Sequence, residues 1–102
     1  MIIAVFRSRI RPEAAEPYHA WVAHMEEIAR SMPGYISDKT FASEDGEQVS
    51  VHEWESAEAL RAWSEHPEHA KAQTLGCEAF YDEYTLYVSE APRESRFKRT
   101  SE

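Results

Sequence analysis

An α+β fold of βαββαβ order is predicted by three features of this 102-residue sequence. The chain opens on a run rich in β-branched residues, which favour strands. Apolar residues recur at helical spacing in two separate regions. Between those regions, an Asp45-Gly46 pair joins two alternating stretches, the signature of a hairpin whose turn tolerates positive φ.

The elements follow in order. Ile2 to Ile10 reads as the first strand, closed by Arg11-Pro12. With a period of two, Ile2, Ala4, Phe6, Ser8 and Ile10 share one side, and Ile3, Val5, Arg7 and Arg9 the other. Both sides start apolar, so both faces of the sheet are expected to be covered at that end. Residues 13–31 read as a helix, because Tyr18, Trp21, Val22, Met25, Ile28, Ala29 and Met32 make one stripe. Pro33-Gly34 ends it, glycine suiting the left-handed turn beyond a helix. Tyr35 to Ser43 is the second strand, Glu44-Asp45-Gly46-Glu47 the hairpin turn, and Gln48 to Glu55 the third strand. On that third strand, Val49 and Val51 point to one face, and His52 and Trp54 to the other. Which of the two meets the helices is open at this level. Ser56 caps a short helix carrying Ala59, Leu60 and Trp63. His66-Pro67 interrupts it, proline at a first helical position starting a further helix over about 67–82. Tyr84 to Ser89 alternates as the fourth strand, with Tyr84 and Tyr87 on opposite faces.

This order predicts a ferredoxin-like domain over residues 1–90, a four-stranded antiparallel sheet with helices on one face. The other face would expose apolar side chains, which a symmetric homodimer would bury, making a dimeric α+β barrel. Residues 91–102 have Phe97 as their only large apolar side chain and read as a basic arm.

The net charge of −8 divides into −10 over residues 1–90 and +2 over the arm. An acidic body repels phosphate backbones, so no nucleic acid is expected as a partner. The arm suits docking on the acidic body of this subunit or its partner. One cysteine, Cys77, leaves no internal disulfide and fits a reducing compartment; it reads as a small buried helix residue. The opening apolar run is too short for a signal peptide or membrane span, so a cytoplasmic protein without membrane contact is expected.

Three segments carry a resemblance: Ile2-Ile-Ala-Val-Phe-Arg7, Met32-Pro33-Gly34-Tyr35, and Trp54-Glu-Ser-Ala-Glu-Ala-Leu-Arg-Ala-Trp63. His66-Pro67-Glu68-His69, Gln73-Thr-Leu-Gly76 and Phe80-Tyr81-Asp-Glu-Tyr84 add to it. Over about residues 1–90 the chain resembles the antibiotic biosynthesis monooxygenase family, dimeric α+β barrels. The resemblance implies oxidation of a small aromatic phenol or quinol by O₂, with no metal or flavin cofactor. The partners it implies are that substrate, O₂ and a second copy of the chain. Such chemistry needs a base, a pocket that excludes water, and donors for the phenolate oxygen. A haem-degrading branch of the fold resembles this chain in a tryptophan at the position of Trp63. That branch has an axial histidine ten residues later, where Gln73 stands here, and a first-strand asparagine, where Phe6 and Arg7 stand. Small quinol oxygenases of the fold carry histidine at the position of Trp63. The alternatives are a non-catalytic binding protein for haem or another flat molecule, and an accessory protein whose main property is dimerisation.

Within that frame His66 and His69 are the candidate acid–base residues, since free imidazoles titrate near about pH 6.5. A cap at His66 and an exposed place one turn in for His69 are the plainer alternatives. Arg7 is the candidate for holding an anion, with pairing to Glu53 or another acid as its alternative. Trp54, Trp63, His52 and Tyr84 are the candidate substrate-binding residues. The spacing of His66, Glu68 and His69 does not match a helical His-x-x-x-His pair, so no metal site is expected.

Overall fold

The computed structural model describes residues 1–75 and 79–99. Strand β1 (Ile2–Ile10) leads through a 3₁₀ turn (Pro12–Ala14) into helix α1 (Ala15–Arg30). Strands β2 (Tyr35–Ala42) and β3 (Gln48–Trp54) follow, then helices α2 (Ala57–Ser64) and α3 (Pro67–Leu75), and finally strand β4 (Tyr81–Glu90). The strands form one antiparallel sheet in the order β2-β3-β1-β4, the ferredoxin-like arrangement.

Local chemistry accounts for the boundaries. Gly34 ends the turn after α1 with φ +86°, and a side chain there would collide with Cβ of Ala59. Its carbonyl accepts from the Glu55 N–H at 2.8 Å, tying the start of β2 to the end of β3. Ser56 Oγ accepts from the Ala59 N–H at 3.1 Å, the N-cap that starts α2. At the hairpin, Gly46 takes φ +91°. Arg9 pairs with Asp45 there at 2.9 Å, and Arg7 with Glu47 at 3.0 Å. Hydrogen bonds from the Glu47 N–H and from Arg9 hold the Asp45 carboxyl down to about 2.

The sequence pattern predicts a third helix to about residue 82 and a fourth strand from Tyr84. In the structure α3 ends at Leu75, and β4 already begins at Tyr81. The reason lies in β1, whose last residues need partners for their backbone groups. Ile10 pairs with Tyr81 and Arg9 with Glu83 across a register shift, and the Arg11 N–H donates to the Phe80 carbonyl at 2.7 Å. Gly76, Cys77 and Glu78 lie outside the described residues, and the reading of Cys77 with them.

Cross-strand partners point to the same face. Ile2 lies opposite Trp54, Ala4 opposite His52 and Val88, and Phe6 opposite Ser50 and Leu86. That face meets the helices. The outer face presents Ile3, Val5, Val49 and Val51, with Phe41 and Tyr87 about half exposed. Under the helices the core is split. One cluster joins Ile2, Met25, Ala29, Trp54 and Trp63; the other joins Ala14, Tyr18 and Phe80 at the opposite end of β1, with Trp21 packed against both. Beyond β4, residues 91–99 form no regular element, and Phe97 is exposed. Among the described residues no helix is long and apolar enough to cross a membrane.

Candidate active site

The gap between the two core clusters is a cavity of about 280 Å³. Its origin is legible in side-chain size. Ala4 and Ser50 sit in the middle of the helix-facing sheet surface, too small to fill the space beneath α1. Bulky neighbours then become walls: Phe6, Trp21, Trp54, Trp63, Tyr81 and Tyr84. Tyr84, Leu86 and Val88 of β4 are about half exposed and form the mouth.

One wall carries imidazoles. His52 enters from β3, and His69 from the first turn of α3. Both are held below the ordinary histidine value. For His52 burial is the main cause, with Asp38 opposing it and His69 adding to it. For His69 burial again leads, a hydrogen bond to the Ser64 carbonyl opposes it, and His66 adds to the depression. His69 Nδ1 lies 3.3 Å from that carbonyl. A carbonyl only accepts, so Nδ1 of the neutral ring carries the proton and Nε2 is the lone-pair nitrogen. The His69 ring lies 4.7 Å from that of Trp63, which stacks on Trp54 at 6.3 Å and 21°.

The sequence candidates are thus divided by the sheet and by α3. His52, Trp54, Trp63, His69 and Tyr84 all line the cavity. The helix-facing place of His52 and Trp54 resolves the choice left open above. His66 is outside the cavity wall: its Nδ1 accepts from the Glu68 N–H at 3.1 Å, and its carbonyl from the Ala70 N–H, so it caps α3. Arg7 lies across the sheet from the cavity, because alternation puts it with Ile3 and Val5. There it forms a two-bond pair with Glu47, not with Glu53. Neither residue is placed to touch a ligand in this cavity.

Several lining residues were not singled out from the sequence, among them Phe6, Ser50, Ser64, Tyr18 and Tyr81. For Phe6 and Ser50 the signal existed, since they belong to the alternate series of Ala4 and His52. Tyr18 and Tyr81 join the site through packing, edge to face at 5.7 Å, which no local pattern encodes. Trp54 has no exposed surface, yet its indole N–H meets no acceptor among the described residues. Among those residues no group of three metal-ligating side chains gathers.

Several known proteins are similar to this chain. A family described as antibiotic biosynthesis monooxygenase matches residues 1–75. The uncharacterized protein YqjZ of Bacillus subtilis (strain 168) is 26% identical over 98 residues, 96% of this chain and 86% of that one. Rv0793 of Mycobacterium tuberculosis superposes with a TM-score of 0.81 at 22% identity, covering 93% of this chain and 98% of that one. SnoaB, a cofactor-independent oxygenase from Streptomyces nogalater, superposes with a TM-score of 0.76 at 16% identity, covering 91% and 94%. At these identities the superpositions establish a shared fold.

Proposed function

The chain belongs to the antibiotic biosynthesis monooxygenase family, and from that premise we propose that it oxidises a small hydroxylated aromatic ring with O₂ in the cavity between sheet and helices. The observation that carries this reading is the meeting of two imidazoles, both favoured in the neutral form, with stacked tryptophans on one small cavity. Aromatic walls suit a flat ring. A volume of about 280 Å³ limits it to a small ring system.

The reaction closes without an external reductant. A phenol bearing a ring C–H para to its hydroxyl reacts with one O₂ to give a quinone and one water. The phenol supplies all four electrons. Its hydroxyl proton passes first to a neutral imidazole, His52 or His69, and the resulting phenolate gives one electron to O₂. Recombination of the two radicals forms the C–O bond of a ring peroxide. That peroxide then loses the ring proton and breaks its O–O bond, releasing water with protons returned by the imidazolium. The protein's part is to hold the anion, supply the base and keep bulk water away. Ser50 and Gln73 in the cavity wall are donors suited to the phenolate oxygen.

A homodimer through the outer sheet face is part of the same reading. That face presents branched side chains beside half-exposed Phe41 and Tyr87, a patch of the kind that marks interfaces. An oxygen electrode with 1,5-dihydroxynaphthalene, which carries a ring C–H para to a hydroxyl, tests the activity. Uptake matched mole for mole by quinone is expected, with loss in a folded His52→Ala/His69→Ala double variant. Equal uptake by that variant would remove the imidazoles from the mechanism.

A further inference from the structure

We infer that Asp38 is a positioning residue that makes His52, rather than His69, the imidazole that takes the substrate proton; the inference rests on the oxygenase reading above. Asp38 stands directly opposite His52 on the neighbouring strand, on the helix-facing side of the sheet. Its side chain is 5% exposed and is doubly held. The Tyr35 hydroxyl donates to Oδ2 at 2.5 Å, and Arg30 Nη2 lies 3.5 Å from Oδ1. A carboxylate fixed in this way beside an imidazole stabilises the imidazolium that proton transfer creates.

Among the described residues His69 has no such partner. Its Nδ1 faces the neutral Ser64 carbonyl, and the imidazole acting on it, His66, lowers its proton affinity rather than raising it. It also sits in the first turn of α3, where the helix dipole opposes a positive ring. Several elements around His52 bring groups toward it. Helix α1 brings Glu26 to the cavity wall and Arg30 to Asp38; β2 brings Tyr35 and Asp38; α3 brings His69. Strand β1 faces it with Ala4, and α2 with Trp63 and Ser64, none of which titrates. Of these, Asp38 acts to favour the charged form of His52, and His69 acts against it.

Two charge changes with opposite consequences test the inference. Asp38→Asn keeps an acceptor for the Tyr35 hydroxyl but removes the charge. Arg30→Gln, at a half-exposed side chain, leaves the Asp38 charge less neutralised. Imidazole NMR titration of the two variants should show the His52 midpoint falling in Asp38→Asn and rising in Arg30→Gln, while that of His69 stays in place. Absorbance of bound 4-nitrophenol should show a smaller ionised fraction in Asp38→Asn than in wild type. With 1,5-dihydroxynaphthalene, the acid limb of the rate profile should move to lower pH in Asp38→Asn. Its plateau should fall roughly tenfold, part of the ~10²–10⁴-fold that general acid–base catalysis contributes. General structural damage would not move the midpoint in opposite directions in the two variants. An unmoved His52 midpoint, or an equal movement of His69, overturns the inference whatever the activity. Opposed midpoint shifts with no oxygen uptake by wild type would sink the oxygenase reading and leave the Asp38–His52 coupling standing.

Discussion

Trp54 offers a contrast between two substitutions whose difference follows from one unpaired atom. Its side chain has no exposed surface, stacks on Trp63, and meets Tyr35 edge to face at 5.7 Å. Trp54→Ala removes that whole ring and enlarges an existing cavity, at a cost of about 3–5 kcal/mol. Trp54→Phe keeps most of the ring and costs about 1–2 kcal/mol in packing. It also deletes a buried N–H that has no acceptor among the described residues, relieving a desolvation penalty of about 1–3 kcal/mol. The two effects offset, so Trp54→Phe should stay within about 1 kcal/mol of wild type. Urea unfolding followed by far-UV circular dichroism, with a shared slope m, measures both. For a domain of this size the alanine variant should also melt at least about 12 °C lower. If Trp54→Phe loses as much as Trp54→Ala, the indole N–H has a strong partner in the folded protein, and its description as an orphan donor is wrong.

Three further outcomes are expected. His52 and His69 have folded values below the ordinary 6.5, so the unfolded chain binds protons more readily. Their contribution to stability should therefore be fully present above about pH 6.5 and be lost as pH falls toward and through the folded values. Urea midpoints at stepped pH would show this slope, flattened in a His52→Asn/His69→Asn variant. Gly34→Ala combines a left-handed backbone with a collision at Ala59. It should destabilise by about 2 kcal/mol or more, read by thermal melting. Val51→Glu puts a charge in the middle of the outer sheet face. Light scattering coupled to size exclusion should then report the 11.8 kDa chain mass where wild type reports twice that; an unchanged mass would mean that this face is not the interface.

The parts of the molecule visible in the sequence are those set by local chemistry. Alternation assigned every residue of β1 to its side, Ser56 marked the start of α2, and Gly34 marked the turn after α1. The order of elements followed from those signals. Tertiary pairing decided the rest. Tyr81 joins a strand because Ile10 needs a backbone partner, a demand made some seventy residues away. The same limit applied at the site. Period two grouped His52 with Trp54, but only the position of α1 shows that their face is the inner one. Pro67 marks His66 as a possible cap in the sequence, but only the packing of α3 shows that His69, one turn in, enters the cavity rather than solvent. Alternation likewise grouped Arg7 with Ile3 and Val5, but only the position of the helices shows that this face is the outer one, beside the hairpin acids.

Isotope labelling tests the central claim, oxygen transfer from O₂ to a ring held against these imidazoles. Wild-type protein turning over 1,5-dihydroxynaphthalene under ¹⁸O₂, with the product trapped quickly and weighed by mass spectrometry, should yield a quinone carrying one ¹⁸O atom. The folded His52→Ala/His69→Ala variant should yield none above background. A quinone from wild type with no ¹⁸O, accompanied by hydrogen peroxide, would contradict the account and reduce the cavity to a binding site for an oxidation that happens elsewhere.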